Sequence, residues 1–401
     1  MNGMSKKQNK LASVLLFGKL GNGTVGQALV MWIAVSIWSF YMISGTILAI
    51  LCGVIFLCKE TRQAWLSDKR WLALTLSISG LSLFSSLLSG NGYGLIVTLA
   101  LFIVMSLGGC AKAVMTDETF RKAEVFCGYG SIIAFMTAVI QNFLIFGHNP
   151  DYRPTAGAFN ANYYGTVAVM MSLVCLVRLF GHGKENDGEA WFRPGKLFYI
   201  TVLACNVVGI LICESRSSLL TLMVTFFLLL LLTGRYRLCA VAVVLGAGLW
   251  LIGWFYPDIF SWTNSLSFII GERAQIWKDA LKSYVGSPVS ILIGRGPMTY
   301  RMVANAEGLF YADHAHNLVI DMLINVGAVG TAIYAAIFVC FAKTAFNSLK
   351  NGNKTAFVLT AVFLCEILFQ GIFDATIMWY QTAMMFLIVF GFNNVSKIKG
   401  E

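Results

Sequence analysis

Apolar runs of membrane-crossing length recur along nearly the whole chain, at about 26–42, 45–58, 71–89, 93–110, 124–146, 161–180, 197–213, 217–233, 238–255, 317–342, 356–373 and 377–393. A helix needs roughly 20 apolar residues to cross a hydrocarbon core about 30 Å thick. The first two runs form one stretch from Val25 to Leu57, which as a single helix would be about 50 Å long at about 1.5 Å per residue. That is too long even for a tilted span, so a turn at Ser44-Gly45 is expected to divide it, giving twelve spans. Composition agrees. Of 401 residues, 58% are hydrophobic and 12% charged, against about 45–50% and about 25% in soluble domains. So little charge leaves too little polar surface for a soluble enzyme, a coiled coil, a disordered chain or a nucleic-acid-binding module.

The net charge of +10 says little until the charges are placed. With the N-terminus inside, 22 of the 29 basic residues fall in inner connections, the asymmetry that orients membrane proteins. Seven lie outside: Arg153, Arg216, Arg273, Lys278, Lys282, Arg295 and Arg301. The chain therefore reads as an all-α polytopic membrane protein of about twelve transmembrane helices with both termini cytoplasmic. It forms one membrane domain over 1–401, with a large extracytoplasmic loop at 256–316. Within that loop, Ile276, Ala280 and Tyr284 recur at helical spacing, which predicts a short amphipathic helix at the membrane surface; Trp254 and Trp262 suit an interfacial belt. The segment before the first run has no small-residue cleavage site, so no signal peptide is expected. No internal repeat is visible. The ten cysteines sit in or at the ends of apolar runs without a CxxC pair, which favours apolar filler over disulfides or zinc.

Outer basic residues run against the orientation bias and so call for a reason. Arg216 stands in Glu214-Ser-Arg-Ser-Ser, a minimal turn between two helices. A guanidinium beside a helix N-terminus binds phosphate through a charge-assisted fork and free backbone N–H groups; a salt bridge to Glu214 or snorkelling to headgroups is the competing reading. Arg273 opens the amphipathic helix, and Arg153 lies in the outer loop that leads to Asn160-Ala-Asn162. Two of only four histidines stand in Asp313-His-Ala-His-Asn317. With Asp313 as N-cap, His316 falls at the third helical position. The positive end of the helix dipole would then keep its ring neutral and able to take a proton from a hydroxyl. A metal held by His314 and His316 lacks a third ligand at useful spacing. The outer acids form no DxD cluster, so a metal-free mechanism is expected.

These residues resemble the bacterial O-antigen ligase and polymerase superfamily of membrane glycosyltransferases. The hallmark is His316-Asn317, nine residues, Gly327, two residues, then Gly330-Thr331. Arg216 followed four residues later by Leu220, the stretch Gly157-Ala-Phe-Asn-Ala-Asn162, Glu272-Arg273-x3-Trp277 and Gly294-Arg-Gly-Pro297 match further elements in order. The resemblance implies glycan transfer from a polyprenyl (undecaprenyl) diphosphate carrier to a hydroxyl on a glycan, lipid or protein acceptor. The reaction would be inverting, without metal or cofactor, on the outer side of the bacterial cytoplasmic membrane. Arg216 and Arg273 would hold the departing diphosphate and His316 would take the acceptor proton. Arg153, Asn162, His314, Asn317 and Asp374 are carried as site-lining residues. Ligase and polymerase both remain open within the superfamily. A flippase or transporter is the more distant alternative, and it predicts mid-span ionisable residues and repeats; only Asp321 and Glu366 stand out in the spans.

Overall fold

The computed structural model describes residues 25–147, 149, 152–180, 194–255, 262–309 and 312–393, with backbone only for 245–247, 249–255 and 262–270. The expectations placed on the N-terminal and C-terminal basic residues and on the side chains of Trp254 and Trp262 lie outside that description. Among the described residues the secondary structure is helical, without strands. In chain order the helices are α1 (Val25–Ile37), α2 (Tyr41–Leu57), α3 (Lys59–Ser67), α4 (Lys69–Leu88), α5 (Gly92–Val114) and α6 (Asp117–Ile140, prolonged by a π-turn over Gln141–Ile145). They continue as α7 (Ala161–Phe180), α8 (Lys196–Ile212), α9 (Arg216–Leu232), α10 (Tyr236–Phe255), α11 (Trp262–Tyr284), α12 (Pro288–Ile293) and α13 (Thr299–Glu307). The last three are α14 (Leu318–Lys350), α15 (Lys354–Phe373) and α16 (Tyr380–Phe392).

Every apolar run is helical, but length separates them. Among the described residues six helices are long and apolar enough to cross a membrane: α4, α5, α6 with its π-turn, α7, α14 and α15; α2 and α3 together, bent by 92°, would make a seventh. The helices α1, α8, α9 and α16 have 13–17 residues. At about 1.5 Å per residue, 13 residues reach only about 20 Å. Two of the short ones are interior elements: Leu29, Val30, Ile33 and Ala34 of α1 are fully buried, and α16 is buried almost continuously from Met384 to Phe392. A helix surrounded by protein need not match the bilayer.

Two boundaries differ from the sequence reading. The first turn lies at Trp38–Phe40, not at Ser44-Gly45, and Ser44 continues the helix with its N–H on the Phe40 carbonyl (2.8 Å). Distant partners decide this. The Gln381 amide donates to the carbonyls of Ile37 and Ser39 (3.0 and 2.9 Å), and Tyr41 N–H donates to Gly157 O (2.7 Å). These bonds satisfy backbone groups that a helix end exposes. The large loop also holds more than one short helix. The segments α11 and α13 build a second, small apolar core, with Ile276, Ala280, Tyr300 and Ala304 buried together with Ala315 and Ile324.

The element that positions the site is a break in α14. Gly327 has φ +65° and ψ −171°, which ends the regular ladder there. The freed carbonyls of Ile324 and Asn325 accept from Arg295 N–H (3.1 Å) and Gly296 N–H (2.8 Å), and Thr331 Oγ1 donates to Gly327 O (2.7 Å). Close approach makes this fit demand glycine on both sides. A Cβ on Gly327 would meet the Leu292–Ile293 backbone at 2.4 Å, and one on Gly294 would meet the Asn325 carbonyl at 2.4 Å. The Gly-Arg-Gly-Pro segment and the His-Asn-x9-Gly segment are therefore two halves of one joint. Gly327→Ala is expected to cost on the order of 3 kcal/mol from left-handed strain plus overpacking. The mostly buried cysteines, none of them in a disulfide, make the measurement direct: a thiol-reactive dye in a detergent melt should report a clearly lower midpoint.

Candidate functional site

The connections on one end of the bundle converge. Asn91, in the turn before α5, donates to the carbonyls of Arg295 (3.1 Å) and Pro297 (2.8 Å). The 152–160 loop meets the α8–α9 turn through Arg153, and the loop before α14 meets the end of α15 through Asp374. At the centre is Asp374, the buried C-cap of α15. Its Oδ1 accepts from His314 Nε2 (2.5 Å), from Ala375 N–H (2.9 Å) and from His316 Nδ1 (3.3 Å). Its Oδ2 accepts from Asn162 Nδ2 (2.8 Å). Asn162 Oδ1 in turn accepts from Arg153 Nη2 (2.9 Å) and Ser215 Oγ (3.3 Å).

His316 is not the third residue of a helix. Asn317 is the N-cap of α14, its Oδ1 accepting from Val319 and Ile320 N–H (both 3.1 Å), so Asp313 is not the cap. Asn317 is thus occupied with holding the helix start, while Asp313 pairs with Arg301 (3.0 Å). His316 lies just outside the helix at φ +50°, a conformation unusual for a residue with a Cβ. Asp321 holds it there: its Oδ1 accepts Ala315 N–H (3.0 Å), while its Oδ2 accepts Asn325 Nδ2 (2.9 Å), and Asn325 Oδ1 accepts Thr299 N–H (3.1 Å). This chain runs from the glycine joint to the histidine loop, and it gives Asp321 a structural task that the sequence left unassigned. The helix-dipole account of His316 does not hold; a carboxylate partner fixes its tautomer instead. With Nδ1–H on Asp374, Nε2 is the nitrogen left to accept a proton.

The arginines divide. Arg153 directs Nε at Cys213 O (2.9 Å) and Nη2 at Glu214 O (3.1 Å), clamping a turn in which Glu214 has φ +51°. Its geometry is that of a brace for the turn before Arg216 more than of an anion ligand. Arg216 opens α9 behind the N-cap Ser215, and the Ser215–Asn162 bond ties that turn to Asp374 in two steps. Gly165 of α7 permits the approach, since a Cβ there would meet Ser218 Oγ at 2.6 Å. Arg273 reaches from α11 to the Phe373 carbonyl (2.5 Å), one residue before Asp374. Burial lowers its pKa, which the charge of Asp374 partly counters.

Burial alone would also raise the Asp374 carboxyl, but the charge of His314 and the hydrogen bonds from both histidines hold it well below the usual carboxylate range. For His314, burial works against the charged ring. The charge and hydrogen bond of Asp374 outweigh it, with Asp321 and Asp313 adding, and its pKa is raised to about 9. A raised histidine stabilises the fold fully below its ordinary 6.5 and loses that contribution as pH rises through about 9. The lowered Asp374 contributes above the ordinary carboxylate range and loses its contribution on acidification. The ion pair is therefore worth on the order of 3 kcal/mol near pH 6, declining towards pH 9. The thermal midpoint should fall over that interval in the native chain and stay flatter in Asp374→Asn.

The donor atoms of His314, His316 and Asp374 lie within 4.8 Å of one another. Asp374 thus supplies the third group that the sequence spacing lacked beside the two histidines, and in this arrangement it accepts a short hydrogen bond from His314 (2.5 Å). An apolar cavity of about 330 Å³ adjoins the cluster, touching Asp313, His314 and Asp321 and otherwise walled by side chains such as Met105, Tyr334, Phe341 and Phe386. Tyr163 and Trp379 stack beside it (5.2 Å, 7°).

Residues 201–335, from α8 into α14, match the family model described as O-antigen ligase. Over that segment, about a third of the chain, the protein is similar to the O-antigen ligase family. The matched segment contains Arg216, Arg273, His314, His316 and the glycine joint. Asp374, Asn162 and Arg153 lie outside it and reach the same cluster through the fold. No curated protein sequence matches the chain. Its apolar helices, by length and composition, are those of a multi-pass membrane protein.

Proposed function

We propose that this chain is a member of the O-antigen ligase superfamily and transfers a glycan from a polyprenyl diphosphate carrier to an acceptor hydroxyl on the outer side of the bacterial cytoplasmic membrane. The observation that carries the reading is the single cluster formed by His316, Asp374 and, one residue away, Arg273. In this reading His316 Nε2 removes the acceptor proton, and the oxygen attacks the anomeric carbon as the diphosphate departs from the opposite face. Configuration inverts. Arg216 and Arg273 neutralise the charge that grows on the leaving group, and no metal is required. The twelve apolar helices cross the bilayer with both termini inside. The short ones do so within the bundle, supported by the basic inner connections. The apolar cavity beside His314 suits a lipid chain brought to the reacting groups.

Attachment of a complete glycan favours a ligase, and chain extension on the carrier a polymerase. The protein is to be reconstituted with a lipid-linked oligosaccharide, alone and with lipid or glycan acceptors. Single additions to the added acceptor select the ligase. A ladder on the carrier selects the polymerase. Absence of transfer to any hydroxyl, from a preparation that melts cooperatively, sinks the proposal.

A further inference from the structure

Asp374 Oδ1 is crowded. Three donors share it, and the two that ionise are His314 at 2.5 Å and His316 at 3.3 Å, with ring centroids 4.4 Å apart. Two imidazolium rings this close repel, so the pair takes up its protons in two separate steps. Geometry decides which ring is first. His314 makes the shorter bond, is only 8% exposed, and lies along the Tyr163 ring (6.2 Å). His316 is more open and makes the longer bond.

We propose that His314 is a positioning residue that carries the one proton the two histidines share over Asp374, and so keeps His316 a free base at neutral pH. The inference rests on the reading of His316 as the proton acceptor.

The surrounding charges agree. His314 is faced by Asp374 at the end of α15, Asp321 on α14, and Asp313 and His316 in its own loop; Tyr163 of α7 covers it. Asp313 is paired with Arg301, and Arg273 sits at the Phe373 carbonyl. Three carboxylates against two guanidiniums leave one formal negative charge, which a single imidazolium balances and two would overshoot. The raised pKa of His314, about 9, is in keeping with its holding that proton through the neutral range.

His314→Gln tests this, because glutamine places an N–H near the Nε2 position without a charge. The pH dependence of glycan transfer is measured in proteoliposomes for wild type and variant. In parallel, nitrogen-15-labelled histidine is titrated by NMR in nanodiscs, where the chain has only four histidines to assign. Loss of the neighbouring charge should move the acid limb of transfer up by about one pH unit or more, about tenfold lower activity near pH 6, with the alkaline plateau and the donor KM within threefold of wild type. His316 should protonate at correspondingly higher pH in the spectrum. Superimposable acid limbs, or a uniform drop at every pH, would show a merely structural His314 and overturn the proposal. The NMR titration decides the shared proton even if wild type transfers nothing, an outcome that would instead remove the functional reading. If the variant fails to fold, the wild-type spectrum still serves. The His316 signal must respond a second time as His314 loses its proton near pH 9, and a single step contradicts the sharing.

Discussion

His316→Ala is expected to lower the rate of glycan transfer by about 10²–10⁴, the range a positioned general base supplies, while the donor KM stays within about threefold. The split follows from the geometry. The ring is held by Asp374 at Nδ1, so its other nitrogen faces the proton to be moved and not the diphosphate. The replacement removes one part-exposed side chain at φ +50° and leaves the Asp321 brace on Ala315 intact, so the fold should survive it. Initial rates in proteoliposomes beside donor-binding isotherms separate the two effects. An equal loss in binding and rate would place His316 on the donor and not on the acceptor proton.

Arg273→Ala and Arg216→Ala are each expected to lower transfer by about 10²–10³, the cost of removing a fixed charge from a developing anion, and to weaken binding of the lipid diphosphate as well. Lysine should restore only part of the loss, because a point charge cannot fork onto two phosphate oxygens. Arg273 carries a second expectation. Its bond to the Phe373 carbonyl holds the backbone beside Asp374, so Arg273→Ala should also reduce the pH-dependent stability attributed to the His314–Asp374 pair. Arg216 opens α9, in a different turn, and should leave that pH dependence unchanged. Rates, diphosphate binding and thiol-dye melts across pH on the same variants give all three readings.

How far the sequence reached follows from what each feature depends on. The helices were legible because an apolar run is a local property. The exceptional outer residues His316, Arg216 and Arg273 were legible because they break a strong compositional bias. The turn after α1 was misplaced because its energy lies elsewhere, in Gln381 and Gly157. Asp313 and Asn317 are both good N-cap residues, and local preference cannot choose between them. Asn317 takes the cap while Asp321 accepts the Ala315 N–H, which turns His316 out of the helix and into reach of Asp374. Asp374 itself was only one of several scattered acids; its partners are 58, 60 and 212 residues away, and no local pattern announces them. One signal was available and unused: Asp321 and Asn325, four residues apart just after His-Asn, form a polar face on an apolar helix. The glycines of the hallmark were recognised by resemblance, and the fold supplies their reason in the two-sided contact at Gly294 and Gly327.

The most direct measurement is the anomeric configuration of the product formed by reconstituted wild type in the presence of a strong chelator. Direct displacement with His316 as base predicts transfer at the unchelated rate, with the new glycosidic bond of opposite configuration to the diphosphate-linked donor. Retention of configuration, or transfer that stops in chelator and resumes only with added divalent ion, would contradict it.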